Sequence, residues 1–593
     1  MVVGAPYESS NAIGVNGDQL NNLASYSGAA YVFVRNGLTW TQQAYLKASN
    51  TQSREDCFGW SVGISGETIV VGAPQESRNI SGVNGNVQGN TPLWASSSGA
   101  AYIFVRNGSN WIQQAYLKAS NTRAGDKFGT SVAISGETVV VGSPYEDSDA
   151  TGVNGNQLGT SASDSGAAYV FFRNGAIWSQ QAYLKASNTE ANDWFGYSVA
   201  TSGKTVLVGA WAEDSYAKGI DGDQSDNSAS DSGAAYIFVR DDINWNQQAY
   251  LKASNAEPWN RFGWSVALSG ERVVIGAHGE SNAVTGVNGD QSGNASRLAQ
   301  WSGAAYVFLR NGTMWTQEAY LKASNTSVSA SFGFSVAISG ERLVVGSHLQ
   351  SSLAWVSGAA YVFVHNGTSW FEQAFIKASN PDSQDYFGRA VAVSGNTVLV
   401  GAAEDDSNAT GINGDQFDNS AENSGAAYVF QAKALSIAKQ PIAGVSGGVL
   451  LTQPVIVIRD WTGQISTSEI PPVTVAIKSG EGGTLGGGTT TVDAINGVAS
   501  FNNLTLSGIV GIDYVLSFSS PQLALVTSNN IRVTAGPASQ MAIIAGNNQT
   551  AAVATAVSVP PSVVVRDAQG NPVAGIQVTF AIASGGGSLM GLS

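Results

Sequence analysis

The chain has 593 residues, a formal net charge of −15 and only 12% charged residues. An acidic chain without a basic stripe has nothing to neutralise phosphates, which excludes nucleic acid as a partner. No run of eighteen apolar residues occurs, so no membrane span is predicted. The single cysteine, Cys57, excludes a disulfide framework within the chain.

One unit recurs along the first 430 residues. Each copy contains the motif SGAAY or a close variant, and successive copies are 55 to 71 residues apart. The glycine of each copy is Gly28, Gly99, Gly166, Gly233, Gly303, Gly358 or Gly425. Self-similarity at a regular spacing is the signature of a repeat architecture.

A full unit, Phe128 to Asn188, contains four strand-like pieces. These are FGTSVAIS, the β-branched run TVVVGSP, the alternating GAAYVFFRNG and the alternating WSQQAYLKA. Gly-containing turns separate the first piece from the second and the third from the fourth, while a long polar loop joins the second to the third. Four short antiparallel strands per unit predict an all-β fold, a seven-bladed β-propeller with four-stranded blades. An open solenoid is the alternative, although its units are usually shorter.

The pieces are not equally numerous. The second and third occur seven times, whereas the first and fourth occur six times, and the absent pair belongs immediately before Met1. We therefore expect the propeller domain, residues 1–430, to be N-terminally incomplete, with an open strand edge.

A different pattern follows the repeats. Residues 431–447 are predicted to be a linker, and residues 448–535 contain alternating strands at the spacing of a β-sandwich, among them PVIVIRD and GVASFNNLTL. Residues 536–593 begin a second copy and stop before its counterpart of GVASFNNLTL. The sequence predicts one immunoglobulin-like sandwich and part of a second, truncated one.

Two resemblances agree with this organisation. Phe58-Gly59 followed by Val70–Pro74 resembles the FG-GAP repeat of the integrin α-subunit propeller. The full repeat sequence is similar to the version found in large bacterial secreted or surface proteins. The C-terminal part is similar to bacterial Ig-like domains of the invasin and intimin type. These resemblances imply an extracellular or cell-surface module on an Ig-like stalk, with a protein or glycan ligand on a cell surface or matrix.

The long loop of the unit is rich in oxygen ligands. In the fourth unit it contains Asp221, Asp223 and Asp226 around a glycine, and calcium prefers six to eight oxygens on a flexible frame. The equivalent carboxylates elsewhere are Asp18, Asp290, Asp415 and Asp418. The sequence therefore predicts calcium as a cofactor of these loops. The alternative is that Asn-Gly and Asp-Gly form turns held by side-chain to backbone hydrogen bonds.

The integrin-type calcium loop does not carry over, since the short turn at its position is only Ser-Gly-Glu or Ser-Gly-Lys.

Aromatic residues supply a second set of candidates. The tryptophan that opens the fourth piece of each unit could stack on sugars, but packing between blades is the favoured interpretation. Exposed aromatic residues in the variable loops are better candidates for ligand contact, because loops on a rigid scaffold carry function. These candidates are Trp94, Trp211, Trp301 and Trp355.

Two histidines, His278 and His348, replace the proline of the second piece in neighbouring units. A metal-binding or general-base role requires an acidic or thiol partner at fixed spacing, and none is evident. We interpret them as loop residues on one face.

The predicted function is that of a secreted or cell-surface adhesion or ligand-binding protein that uses the propeller loops. A lectin-like, glycan-binding propeller is the first alternative. A propeller-based hydrolase or lyase is the second, disfavoured because the near-identity of the strands leaves little room for a unique set of charged residues in one pocket.

Overall fold

Each sequence unit folds into one antiparallel sheet, as the alternating and β-branched pieces predict. The computed structural model describes all residues except 37–38, 52–54, 86–93, 293–298, 460–463, 467–471, 522 and 591–593. Within those residues the fold is all-β, and no helix occurs. Consecutive strands of a unit are hydrogen-bonded neighbours in chain order.

The described part of residues 1–430 forms seven such sheets, which we number 1 to 7 in chain order. Sheets 2 to 6 have four strands, whereas sheet 1 has no equivalent of the first strand and sheet 7 none of the fourth among the described residues. Sheet 1 comprises β1 (Val2–Ala5), β2 (Ala29–Asn36) and β3 (Thr39–Leu46), and sheet 2 comprises β4 (Ser61–Ser65), β5 (Thr68–Ala73), β6 (Ala100–Asn107) and β7 (Asn110–Leu117). Sheet 3 comprises β8 (Ser131–Ser135), β9 (Thr138–Ser143), β10 (Ala167–Asn174) and β11 (Ile177–Leu184). Sheet 4 comprises β12 (Ser198–Ser202), β13 (Thr205–Ala210), β14 (Ala234–Asp241) and β15 (Asn244–Leu251). Sheet 5 comprises β16 (Ser265–Ser269), β17 (Arg272–Ala277), β18 (Ala304–Asn311) and β19 (Met314–Leu321). Sheet 6 comprises β20 (Ser335–Ser339), β21 (Arg342–Ser347), β22 (Ala359–His365) and β23 (Trp370–Ile376), and sheet 7 comprises β24 (Phe387–Ser394), β25 (Thr397–Ala402) and β26 (Ala426–Gln431).

The sheets pack face to face, and their first strands meet. Strand β4 contacts β8, β8 contacts β12, β12 contacts β16, and the series continues to β20 and β24. One hydrophobic cluster joins Val140 and Val170 of sheet 3 to Val206 and Tyr236 of sheet 4, and similar clusters join other neighbouring sheets. This arrangement, in which repeated antiparallel sheets share cores and bring their first strands together, is that of propeller blades and supports the predicted β-propeller, whereas the number of blades stays a prediction.

The tryptophan at the start of the fourth strand packs between sheets. Trp178 of β11 is only 4% exposed and lies in a cluster with residues of sheets 2 and 3. Its indole Nε1 donates a hydrogen bond to Oε1 of Gln114 in sheet 2, at 2.7 Å. The equivalent indoles of sheets 2, 4, 5 and 6 also reach across to the preceding sheet. Packing, the favoured interpretation of these residues, is confirmed.

The glycine of SGAAY allows two chain segments to approach closely. Gly166 has a φ of +82°, and a Cβ placed there would lie 2.0 Å from the carbonyl oxygen of Phe195. Gly175, in the hairpin between β10 and β11, also has a positive φ, +64°, but has nothing within 4 Å of such a Cβ.

We predict that Gly166→Ala destabilises the propeller by about 2–3 kcal/mol, whereas Gly175→Ala costs about 1 kcal/mol, the backbone term alone. Urea unfolding followed by tryptophan fluorescence measures the difference, because only Trp461 of the fifteen tryptophans lies outside the propeller. Equal costs for the two variants would show that the close approach carries no constraint.

The chain divides into two compact units, Met1–Val364 with Trp370–Phe430, and His365–Ser369 with Gln431–Ser593. The second unit contains two larger sheets, ordered β27-β28-β32 and β31-β29-β34-β35, around one core that includes Ile456, Val475, Leu506 and Phe518. Its strands are β27 (Ala434–Lys439), β28 (Val455–Arg459), β29 (Val473–Ser479), β30 (Thr484–Gly486), β31 (Thr491–Val492), β32 (Val498–Ser500), β33 (Thr505–Ser507), β34 (Val515–Ser520), β35 (Leu523–Thr527), β36 (Gln540–Ala545) and β37 (Ser562–Arg566).

Strand β27 lies inside the range predicted to be a linker. It belongs to the second unit because it pairs with β28. The separate pair β36–β37 is the sheet that the described residues form within the predicted partial domain, 536–593. No helix in the described part of the chain is long and apolar enough to cross a bilayer.

Candidate functional site: an aromatic belt

Two positions of each unit that has a first strand meet at one end of its sheet. The first strand starts after Phe-Gly and the second strand ends in Gly-Ala or Gly-Ser, and the two strands are antiparallel, with Ser198 opposite Gly209 in sheet 4. The residue after Phe-Gly and the residue after the second strand therefore lie at the same end. In sheet 4 these residues are Tyr197 and Trp211, whose rings are 5.9 Å apart.

Aromatic rings at this end form a continuous series from sheet 3 to sheet 7. The ring of Trp264 is 5.3 Å from that of Trp211, 4.3 Å from His278 and 5.4 Å from Phe334. Phe334 in turn lies 3.9 Å from His348. We call this series the aromatic belt. Its members are Tyr145, Trp194, Tyr197, Trp211, Trp264, His278, Phe334, His348 and Tyr386.

The belt has a buried layer and a partly exposed layer. Trp211, His278 and His348 are 8%, 5% and 7% exposed, whereas the other members are half-buried. In sheets 1 and 2, Tyr7 and Trp60 occupy positions equivalent to those of belt members, and with Tyr26 they form a separate trio. A band of aromatic surface thus lies at the end of the first strands.

Cations border the belt. The guanidinium of Arg261 lies between two indoles, 5.1 Å from the ring of Trp211 and 5.3 Å from that of Trp301. Lys127 lies 4.4 Å from the ring of Tyr145. Cations over aromatic faces at such distances contribute about 0.5–2 kcal/mol each.

The two histidines of the belt are neutral. Burial, assisted by the charge of Arg261, lowers the pKa of His278 to about 3. Burial, assisted by Arg389, lowers the pKa of His348 to about 3. Neither imidazole takes up a proton in the physiological range, so the belt is apolar and uncharged at its centre.

The four predicted ligand-contact tryptophans fall into two groups. Trp211 belongs to the belt, and Trp301, 40% exposed, contacts it through Arg261. Trp355 is 65% exposed and Trp94 is 45% exposed, and neither takes part in the ring contacts of the belt. The sequence reasoning missed most of the belt, although an aromatic residue after Phe-Gly in four of the six described copies was a usable signal.

The predicted calcium ligands accept hydrogen bonds from backbone amides, Asp221 from the fourth strand of its sheet and the others within turns. Oδ1 of Asp221 accepts a hydrogen bond from the backbone N of Tyr250 at 2.9 Å. Oδ1 of Asp223 accepts from both the amide and the hydroxyl of Ser225, which hold the pKa of this exposed carboxyl below its ordinary value. The same pattern of a carboxylate accepting from the amide two residues later holds at Asp226, Asp18, Asp290, Asp415 and Asp418.

No three acidic, histidine or cysteine side chains gather to hold a metal ion within the described ranges. The carboxylate oxygens are placed to accept hydrogen bonds from backbone amides. Calcium binding by these loops therefore remains a prediction.

If the loops bind calcium, we expect the thermal midpoint of the chain to be higher in millimolar calcium than in chelator. Calcium at a hundredfold over its Kd adds about 2.7 kcal/mol per site to the free energy of unfolding. Replacing Asp221, Asp223 and Asp226 with alanine should abolish the rise. Identical midpoints in both solutions would assign these carboxylates to the turns alone.

Fold and site together define a repeat β-propeller with an aromatic face at one end of its inner strands. A family model of the FG-GAP repeat matches residues 40–104, 111–171, 178–238, 245–308, 315–363 and 370–430, more than half of the chain. The chain belongs to the FG-GAP repeat family.

Among solved structures, the chain is similar to Pyrococcus horikoshii acylaminoacyl peptidase (orthorhombic crystal form), at 10% identity and a TM-score of 0.29. The match covers 67% of this chain and 48% of that one, so the chain spans about half the length of that protein. A likeness of this size carries no argument about function. No curated protein sequence matches the chain.

Proposed function

We propose that the chain is an extracellular ligand-binding or adhesion protein and that the aromatic belt is the face that binds its protein ligand. FG-GAP repeats form propeller domains that often bind ligands. In this proposal the second unit is an Ig-like spacer, and the protein acts on a cell surface or in secreted form.

The observation that carries the proposal is the belt itself. Half-buried rings such as Trp194, Trp264 and Phe334 form one continuous surface across five sheets. Aromatic residues and arginine dominate the energetic centres of protein interfaces, because they bury a large area at a small cost in side-chain entropy. A stable core does not require these rings, since separate hydrophobic clusters already join sheet 3 to sheet 4, sheet 4 to sheet 5 and sheet 5 to sheet 6.

The test compares the full chain with a Trp264→Ala/Phe334→Ala double variant on a panel of purified cell-surface and matrix proteins. We predict that a bound protein loses about thirtyfold in affinity, the loss of about 2 kcal/mol that marks an interface centre. Phe417→Ala is the matched control, because Phe417 is 78% exposed in a loop outside the belt.

Thermal midpoints of all variants verify folding. Unchanged affinity in the double variant, or a loss confined to Phe417→Ala, would contradict the proposal.

Glycan binding is the second candidate. The observation that favours it is the freely exposed indole of Trp355, 65% exposed, since indole faces stack on sugar rings. A glycan array probed with the full chain and with Trp355→Ala tests it. Glycan binding that depends on Trp355 and not on Trp264 would show that the loop of Trp355, and not the belt, binds the ligand.

A further inference from the structure

The guanidinium of Arg261 is a half-buried cation without a counter-ion among the described residues. It lies between the rings of Trp211 and Trp301, and its hydrogen-bond contact is to the ring of His278. No carboxylate in the described part of the chain forms a salt bridge with it. Asp231 is near enough for the charge of Arg261 to act on its pKa, which burial raises, but it forms no ion pair with Arg261.

The contact with His278 fixes the position of a proton. Nη1 of Arg261 lies 3.3 Å from Nε2 of His278, and a guanidinium can only donate, so Nε2 accepts. Because this imidazole is neutral, its single proton is on Nδ1. His278 therefore presents an N–H donor at Nδ1.

Three buried N–H donors of this cluster have no acceptor within the described ranges. They are Nδ1 of His278, Nε of Arg261 and Nε1 of Trp211. His278 and Trp211 are more than nine-tenths buried, at 5% and 8% exposure. A buried donor without an acceptor costs about 1–3 kcal/mol, so the cluster gains stability from any group that supplies acceptors.

We propose that the cluster of Trp211, Arg261, His278 and Trp301 binds a carboxylate side chain of the protein ligand. This inference rests on the proposed function and names the chemistry of the ligand. A carboxylate is a planar group with acceptors only, and it matches the fork of a guanidinium through two parallel hydrogen bonds. The chain carries a net charge of −15, so the attraction comes from Arg261 locally and not from the field of the whole protein.

The surroundings favour an acidic peptide over an acidic sugar. The faces of Trp211 and Trp301 that flank the guanidinium are covered by it. Some neighbouring rings meet near edge to face, at 85° for Trp194 with Trp211 and 74° for His278 with Phe334, and others stack, at 25° for Trp194 with Tyr197. Ring faces on which a sugar would stack are thus engaged by other side chains, whereas apolar ring edges beside a charge suit a mixed peptide surface.

The experiment titrates poly-L-glutamate, poly-L-glutamine and polygalacturonate into the full chain and follows binding by calorimetry. We predict that poly-L-glutamate binds, that poly-L-glutamine does not, and that Arg261→Gln weakens poly-L-glutamate at least tenfold. Arg261→Lys, which retains the charge and loses the fork, is expected to bind with intermediate affinity.

Arg240→Gln is the matched control. Arg240 also lies over aromatic rings, 5.0 Å from Phe172 and 6.0 Å from Trp245, and its Nε also lacks an acceptor among the residues that the structure describes. It lies at the far end of β14, near Asp241, away from the belt. We predict that Arg240→Gln leaves poly-L-glutamate affinity unchanged.

Poly-L-glutamate binding that is absent, or equally strong in Arg261→Gln, would overturn the inference. Binding of polygalacturonate alone would overturn it in favour of an acidic glycan. The inference can fail while the proposed function stands: if Trp264→Ala/Phe334→Ala lowers affinity for the protein ligand and Arg261→Gln does not, the belt remains the binding face and does not bind a carboxylate through Arg261.

Discussion

Replacing Glu146 with glutamine should destabilise the propeller by about 3–5 kcal/mol, one of the largest effects expected of a single substitution in this chain. Glu146 and Lys185 form an ion pair at 3.0 Å with both side chains fully buried. Nζ of Lys185 also donates to Oγ of Ser165 at 2.7 Å, and Nδ2 of Asn121 donates to Glu146 at 2.8 Å. Burial lowers the pKa of Lys185 and Glu146 opposes that shift, so removing the carboxylate leaves a buried ammonium without its partner.

The same pair recurs beneath the long loop of other sheets. Its members are Lys47–Glu8, Lys118–Glu76, Lys252–Glu213 and Lys322–Glu280. Sheet 6 provides a natural comparison, because Gln350 stands in place of the glutamate. There Lys377 donates to Ser357, and burial lowers its pKa to about 8.

Urea unfolding followed by tryptophan fluorescence measures these effects. Glu146→Gln/Lys185→Met should recover much of the lost stability, because a buried pair replaced by apolar atoms is often neutral. Lys377→Met, which removes a lysine whose sheet has glutamine in place of the glutamate, should cost less than about 1 kcal/mol. A cost for Glu146→Gln no larger than that of Lys377→Met would show that the pair does not stabilise the sheet.

The second large effect is a loss of propeller stability as the pH rises from about 6.5 to about 8. Below about 6.5 the two buried histidines oppose this loss, because the unfolded chain protonates them and the folded chain does not. Burial, followed by the charge of Glu146, raises the pKa of Asp126 to about 8. Burial and Glu213 raise the pKa of Asp193 to about 8 in the next sheet. Between the ordinary carboxyl pKa and 8 these two carboxyls keep protons in the folded chain that the unfolded chain releases, so their contribution to stability is fully present at low pH and falls as pH rises through this window.

Each pH unit between the two pKa values corresponds to about 1.4 kcal/mol, so we expect a loss of about 2 kcal/mol per carboxyl between pH 6.5 and 8. Asp126→Asn/Asp193→Asn should flatten the profile, and sheet 5 supplies the precedent, because Asn260 occupies the equivalent position and is 4% exposed. Thermal midpoints measured from pH 6.5 to 8 provide the test. Stability that stays level or rises with pH in the unmodified chain would contradict the assigned pKa shifts.

The strands were predictable because each carries its own local signal. The run TVVVG of β9 is β-branched, Ser-Gly-Glu closes the hairpin with β8, and seven copies of SGAAY place the third strand. Packing of Trp178 between sheets was also predictable, since one aromatic at one place in every unit suits a repeated contact.

The belt was harder to predict because its residues come from different places in the unit. Trp264 follows Phe-Gly, His278 follows the second strand, and Tyr386 precedes Phe-Gly. They meet only when neighbouring sheets place the ends of their strands together, which no local pattern encodes. The buried lysines were missed for another reason: a lysine in an alternating strand is usually solvent-exposed, and only its recurrence with a distant glutamate indicates a pair.

The most direct test of the belt as the binding face is hydroxyl-radical footprinting of the full chain with and without its bound protein ligand. We predict that oxidation of Trp264, Phe334 and Trp301 falls on binding, because these rings are exposed or half-exposed at the belt. Phe417, 78% exposed in its loop, should be oxidised equally in both states. Protection of Phe417 with no change at Trp264 and Phe334 would show that the ligand binds the loops and would contradict the belt as the binding face.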